Sequence, residues 1–148
     1  MRVVLQRVTN GQVSIDGQLR GKIGVGFVLL VGVADSDGEA EIEYLANKIA
    51  KIRLFTDDAG KMNLNLAAVN GAILSISQFT LYANTAKGNR PSFIGAGKPD
   101  HANQIYQQFN AKLASLGFDV QTGVFGADMQ VELTNDGPVT IQFDTDNK

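Results

Sequence analysis

The spacing of apolar and polar residues changes several times along this chain, and each change predicts an element. Val3 to Val8, Gln12 to Ile15 and Leu19 to Ile23 are strand-like runs, with Asp16-Gly17 placed as a hairpin turn. Gly26 to Val33 is apolar enough for a central strand covered on both faces. From Asp37 onward Ile42, Leu45, Ala46, Ile49 and Ile52 share one helical face, and Glu39, Glu41 and Glu43 lie near the positive N-terminal end of that helix. Thr56 to Lys61 reads as a polar turn and Ala72 to Phe79 as another strand. Thr80 to Lys98 is a long, glycine-bearing connection of the kind that often carries function.

Asp100 is placed to cap a second helix whose inward face is Ile105, Tyr106, Phe109, Leu113 and Leu116, closed by Gly117 at C′. Phe118 to Thr122, Phe125 to Thr134 and Val139 to Phe143 return to strand-like patterns, and Asp144 to Lys148 is a polar tail. Val131 and Leu133 alternate before the run Asn135 to Pro138, and Val139, Ile141 and Phe143 alternate after it, so the run reads as a hairpin connection. Proline directly after glycine is unusual there, because it removes a ladder donor. Together the elements predict one compact α/β domain over residues 1–148, in which barrel-like β-sheet layers pack with two main helices.

Composition narrows the chemistry. The 148 residues, 44% of them hydrophobic, can build a continuous core without staples. With no cysteine, thiol nucleophiles, disulfides and thiolate metal sites are excluded. The one histidine, His101, falls at the expected start of the second helix, which excludes a histidine-based triad. The first residues mix Arg2, Gln6 and Arg7 with apolar side chains and resemble no signal peptide, and no apolar stretch has the length of a membrane span. A soluble, cytoplasmic protein is expected. A net charge of −2 argues against a broad DNA- or RNA-binding surface, so any nucleic-acid contact must be local.

Several motifs have ordinary explanations. Gly21, Gly24 and Gly26 lead into a strand rather than a helix, which suits turns and close packing better than a dinucleotide loop. Asp35, Asp37, Glu39 and Asp57-Asp58 lack the alternating ligands of a calcium loop, so no metal is expected. Ser77, Gln78, Phe79, Thr80 and Leu81 end a strand and enter the long loop. Ser77 or Thr80 would be a poor nucleophile there, since neither has a base close in sequence. The main-chain N–H groups are better candidates, because preorganised amides stabilise the oxyanion of ester hydrolysis without any ionisable side chain. Lys87, Gly88, Asn89, Arg90, Pro91, Ser92 and Phe93 combine two cations, flexible backbone and an aromatic, which suits phosphate contact with base or ribose stacking as well as a plain solvated loop.

Five segments in order resemble the D-aminoacyl-tRNA deacylase family: MRVVLQRV at 1–8, SQFTLYA at 77–83, KGNRPSF at 87–93, FGADMQV at 125–131 and NDGPVT at 135–140. The resemblance implies a cofactor-free α/β homodimer that acts on the 3′ end of aminoacyl-tRNA. It implies that Gly137-Pro138, joined by a cis bond, reaches into the partner subunit's active site as a wall of carbonyls. An L-aminoacyl side chain would strike that wall, whereas a D-residue points away and glycine presents nothing to clash. Ser77, Gln78, Phe79 and Thr80 become the catalytic segment, with amides around Phe79 and Thr80 holding the oxyanion and the 2′-OH of the terminal adenosine assisting. An alternative within the family makes Thr80 the nucleophile. By the same resemblance Arg7 braces the Gly-Pro turn, Lys87, Arg90 and Phe93 meet the tRNA end, and Phe125 and Met129 belong to the adenosine pocket. Editing of this kind has a physical motive, since one binding step cannot reject small substrate differences strongly. The competing readings are a non-catalytic dimer that binds RNA ends on the same scaffold and a generic esterase, against which the lack of a nucleophile elbow counts.

Overall fold

The computed structural model describes residues 1–148. β1 (Arg2–Ile15), β2 (Gln18–Ile23) and β3 (Gly26–Gly32) come first, followed by α1 (Glu39–Lys51) and the short strands β4 (Arg53–Thr56) and β5 (Met62–Asn65). β6 (Ala72–Ser77), α2 (Pro99–Ser115), β7 (Val120–Thr122) and β8 (Gln130–Asp144) complete the chain, with 3-10 turns at Ala67–Val69, Phe79–Tyr82 and Thr145–Asn147. No helix is long and apolar enough to cross a membrane.

β1 organises the sheet. Its first half pairs antiparallel with β3 and its second half with β2, while β8 pairs antiparallel along its other edge. β6 lies parallel to β3 and β7 parallel to β6. Parallel neighbours need crossovers, and the segments carrying α1 and α2 supply them. The sheet then curls until β2 approaches β7, giving a nearly closed, barrel-like α/β domain. Gly21 permits this approach, because a Cβ there would stand 3.2 Å from the Thr122 carbonyl oxygen and 3.4 Å from the Leu74 side chain.

Alternation along the strands divides the core in two. Val3, Leu5, Phe27, Leu29, Val31 and Ile73 face the helices and meet Leu45, Ile49, Phe109 and Leu113. Val8, Val13, Ile23, Val28, Leu74 and Ile76 fill the inside of the curled sheet. Each such side chain, removed from water, contributes roughly 1.5–3 kcal/mol before entropy is counted. Register shifts around Val8 let β1 change which residues face which layer, so Val3 to Val8 and Gln12 to Ile15 form one bent strand instead of two.

Four local expectations are corrected. Asn135 to Pro138 is not a hairpin: Asn135 pairs with Val8 and Thr140 with Gln6, so both flanks belong to β8 and residues 136–139 loop out opposite Arg7. Alternation on the two sides looks the same for a bulge as for a hairpin, which is why the pattern misleads. Phe125 to Met129 is irregular and the strand begins at Gln130. α2 is capped by Lys98 with Pro99 at its first position, so Asp100 lies inside the first turn, where its charge still favours the helix. Leu116 at the far end is 38% exposed rather than inward. β4 and β5 flank the expected Thr56 to Lys61 turn, in which Asp57 accepts the Ala59 and Lys61 N–H groups at 2.9 Å.

Candidate active site

β6 carries the Ser77–Leu81 segment to one end of the sheet. Gln78 still pairs as sheet, its N–H donating to the Val31 carbonyl at 2.7 Å, and the chain then tightens into the Phe79–Tyr82 3-10 turn. Leu81 N–H to the Gln78 carbonyl at 3.3 Å and Ala83 N–H to the Thr80 carbonyl at 3.0 Å close that turn. Phe79 and Thr80 stand at its start, so their own N–H groups have no partner within it. The Gln78 side-chain amide donates to the Thr80 hydroxyl. An amide cannot take that hydroxyl's proton, and the lone imidazole is engaged elsewhere, His101 Nε2 standing 3.1 Å from the Asp37 carbonyl.

A cavity of about 640 Å³ opens beside this turn. One wall is the end of β3 and β6, with Val31, Val33, Ile76 and Ser77; the opposite wall combines Ala102 and Tyr106 of α2 with Phe125 to Met129. The Tyr106 hydroxyl donates to the Ser75 carbonyl at 2.7 Å, and burial pushes the phenol up, so it remains a neutral donor. The Phe125 ring lies 6.1 Å from the Tyr106 ring, centroid to centroid. At the mouth, Phe93 meets Phe79 edge-on at 5.1 Å, and Ile94 beside it is 94% exposed.

The long loop is pinned at both ends. Asn84 and Ser92 exchange main-chain hydrogen bonds of 2.8 and 2.9 Å, so Lys87 and Arg90 sit at an exposed tip beyond the pinch. Gly97 N–H donates to the Val33 carbonyl at 2.8 Å and Lys98 N–H to the Asp35 carboxylate at 2.7 Å, which fixes the loop's return along β3.

The excursion from β8 is held separately. Its Gly137-Pro138 bond is cis, and Gly137 has a φ of +122°, a conformation that favours glycine. Arg7 lies in phase with Val3 and Leu5 and is 8% exposed, so its charge needs partners. It donates Nε to the Asp136 carbonyl at 3.2 Å, approaches the Asp136 carboxylate at 3.4 Å, and donates a terminal nitrogen to the Leu54 carbonyl. Asn135 closes the base of the loop by accepting the Val139 N–H at 3.1 Å and donating to the Thr140 hydroxyl at 2.9 Å. Gly137 and Pro138 are left exposed.

The D-Tyr-tRNA(Tyr) deacylase family profile matches residues 4–144. The chain belongs to that family. It is 60% identical to a D-aminoacyl-tRNA deacylase of Lacticaseibacillus casei (strain BL23) over the whole of both chains. A D-aminoacyl-tRNA deacylase of Bifidobacterium adolescentis (strain ATCC 15703 / DSM 20083 / NCTC 11814 / E194a) is 55% identical, covering 99% of this chain and 98% of its own. Among solved structures, a c-Myc DNA Unwinding Element Binding Protein superposes with a TM-score of 0.91 at 36% identity, covering 98% of this chain and 99% of that one. A probable eukaryotic D-amino acid tRNA deacylase shares the fold with a TM-score of 0.82 at 16% identity, over 96% and 97% of the two chains. The class is therefore a hydrolase, as the Ser77–Leu81 and Gly137-Pro138 motifs imply.

Of the residues singled out from sequence, Ser77, Gln78, Phe79, Phe93, Phe125 and Met129 line this one cavity. Thr80, Lys87, Arg90, Arg7, Gly137 and Pro138 do not line it. Val33, Ala102 and Tyr106 also line the cavity, and the sequence does not single them out because a helix face and a strand end read as core. The signal for Tyr106 was its hydroxyl, which in a buried position needs a partner.

Proposed function

We propose that this chain hydrolyses the ester that joins a D-amino acid to the 3′ end of tRNA, releasing both, and that it spares L-aminoacyl-tRNA by steric exclusion. The carrying observation is the cavity beside Phe79 and Thr80. It is mainly apolar, the turn beside it has two main-chain N–H groups without a partner in that turn, and it offers no imidazole to a nucleophile. Such a site suits an ester whose tetrahedral oxyanion is held by fixed amides. The neighbouring 2′-OH of the terminal adenosine supplies the proton chemistry that no imidazole in this lining supplies.

The selection step belongs to a homodimer. Gly137 and Pro138 are exposed, lie outside their own chain's cavity and project from β8, which pairs with β1 alone. That supports their entry into a second subunit's cavity, where main-chain carbonyls meet an L-side chain and leave D-aminoacyl and glycyl groups room. The Arg7 contacts to Asp136 support a bracing role, and guanidinium geometry suits two carbonyl acceptors at once. Phe125 and Met129 would flank the terminal adenosine, while Lys87 and Arg90 at the loop tip would meet backbone phosphates. The reaction belongs to translation quality control in the cytoplasm and uses no cofactor. Incubating purified protein with D-tyrosyl-tRNA should release free D-tyrosine over many turnovers; stoichiometric binding without turnover would instead favour the RNA-end-binding reading.

A further inference from the structure

Arg2 has contacts that neither the core nor the catalytic segment accounts for. In the sheet it stands directly between Gly32 of β3 and Asp144 of β8. On the β8 side its Nε donates to the Asp144 carboxylate at 3.1 Å. On the β3 side Gly32 leaves a gap, and the Phe79–Tyr82 turn occupies it. A Cβ on Gly32 would stand 3.1 Å from the Gln78 carbonyl oxygen and 3.2 Å from both Leu81 Cβ and the Tyr82 ring. Across that gap Arg2 donates a terminal nitrogen to the Leu81 carbonyl at 3.1 Å, and its guanidinium carbon lies 4.6 Å from the Tyr82 ring centroid.

The guanidinium thus grips the last two residues of the turn whose first two residues carry the unpartnered amides. A turn of four residues, held within itself mainly by 3-10 hydrogen bonds of up to 3.3 Å, has little intrinsic stability. Its orientation depends on what fixes it from outside. Gln78 N–H to Val31 anchors the entry and Arg2 anchors the exit. Asp144 in turn keeps Arg2 from swinging into solvent, since the Arg2 side chain is 32% exposed.

We propose that Arg2, oriented by Asp144, is a positioning residue for the reaction: it sets the Phe79–Tyr82 turn so that the Phe79 and Thr80 amides point at the developing oxyanion. The inference rests on the deacylase reading above. It requires that Arg2 act on the rate of the chemical step and not on substrate affinity, because Arg2 does not line the cavity.

The test is a steady-state comparison on D-tyrosyl-tRNA, with circular dichroism to confirm folding. Arg2→Met should lower kcat by about tenfold or more with KM within about twofold, the pattern of an interaction expressed only in the transition state. Arg2→Lys, which keeps a donor for Leu81 but not the planar fork, should recover part of the loss. If Arg2→Met does not fold, Asp144→Asn carries the test: it keeps the cation and frees it, and kcat should fall about threefold at constant KM. A folded Arg2→Met with wild-type kcat, a loss confined to KM, or an unchanged kcat in Asp144→Asn overturns the proposal. Absence of turnover by the wild-type protein would overturn the deacylase reading itself.

Discussion

Replacing Gly137 by alanine isolates the looped-out turn of β8. At φ +122° an L-residue costs about 1–3 kcal/mol in backbone strain. The new Cβ would also stand 2.9 Å from Val139 Cγ2 and 3.0 Å from Arg7 Nη2. Both contacts are closer than packed carbons and nitrogens tolerate, and the end of Arg7 can yield more readily than the main chain. Arg7 then moves off the Asp136 or Leu54 carbonyl, and a hydrogen bond from a charged donor is worth roughly 1.5–3 kcal/mol. Partial relaxation of an exposed loop reduces that sum, so about 2 kcal/mol of lost stability is expected. At this chain length each kcal/mol moves Tm by roughly 2–4 °C, which gives a fall of about 4–8 °C. The assay pairs thermal unfolding with hydrolysis of D- and L-tyrosyl-tRNA, and the ratio of D to L rates should drop because the carbonyls shift with Arg7. Gly24→Ala is the control, as nothing lies within 4 Å of a Cβ there and its φ is ordinary. A Gly137→Ala protein with unchanged Tm and an unchanged rate ratio would show that neither the backbone strain nor the Arg7 contacts hold this turn.

Three further outcomes follow from individual contacts. Thr80→Ala should keep kcat within about threefold of wild type if main-chain amides and the substrate hydroxyl do the chemistry; complete loss in a folded variant would restore Thr80 as nucleophile. Arg90→Ala should raise KM with little change in kcat and should flatten the dependence of KM on salt, as expected for a lost phosphate contact. Asp144 concerns acid stability: burial raises its carboxyl, but the Asp146 N–H and Arg2 outweigh that and hold it below the ordinary aspartate range. A lowered folded value means the stabilisation is present above the unfolded value and disappears as pH falls through the folded one. Acid unfolding curves should therefore be shallower below about pH 4 in Asp144→Asn than in wild type.

Helices and long strands were legible where one periodicity ran for many residues. Ile42, Leu45, Ala46 and Ile49 are buried as their spacing requires, and Gly117, at φ +96°, ends α2 as expected. The four-residue β4 and β5 were not legible, because two inward positions cannot establish a period. The Asn135 to Pro138 run resembles a hairpin in sequence for a deeper reason. Pairing of both flanks with β1 is a long-range fact, and local alternation does not distinguish a strand that turns back from one that bulges and continues. The site was legible as segments and not as an assembly. Ser77 to Phe79 and Phe93, Phe125 and Met129 meet only because the sheet curls and the Asn84–Ser92 pinch returns the loop to β3. Arg2 and Arg7 look alike in sequence, yet their opposite phases on β1 send one to the Phe79–Tyr82 turn and the other to the Gly-Pro excursion.

Chiral selection at the ester is read from the single-turnover rates of D- and L-tyrosyl-tRNA hydrolysis by the unmodified protein. With enzyme in excess, the D-form should be consumed at least about a hundredfold faster than the L-form, a discrimination of about 2.7 kcal/mol, within reach of a steric wall. Equal rates, or a stable D-tyrosyl-tRNA, would exclude chiral ester hydrolysis by this chain.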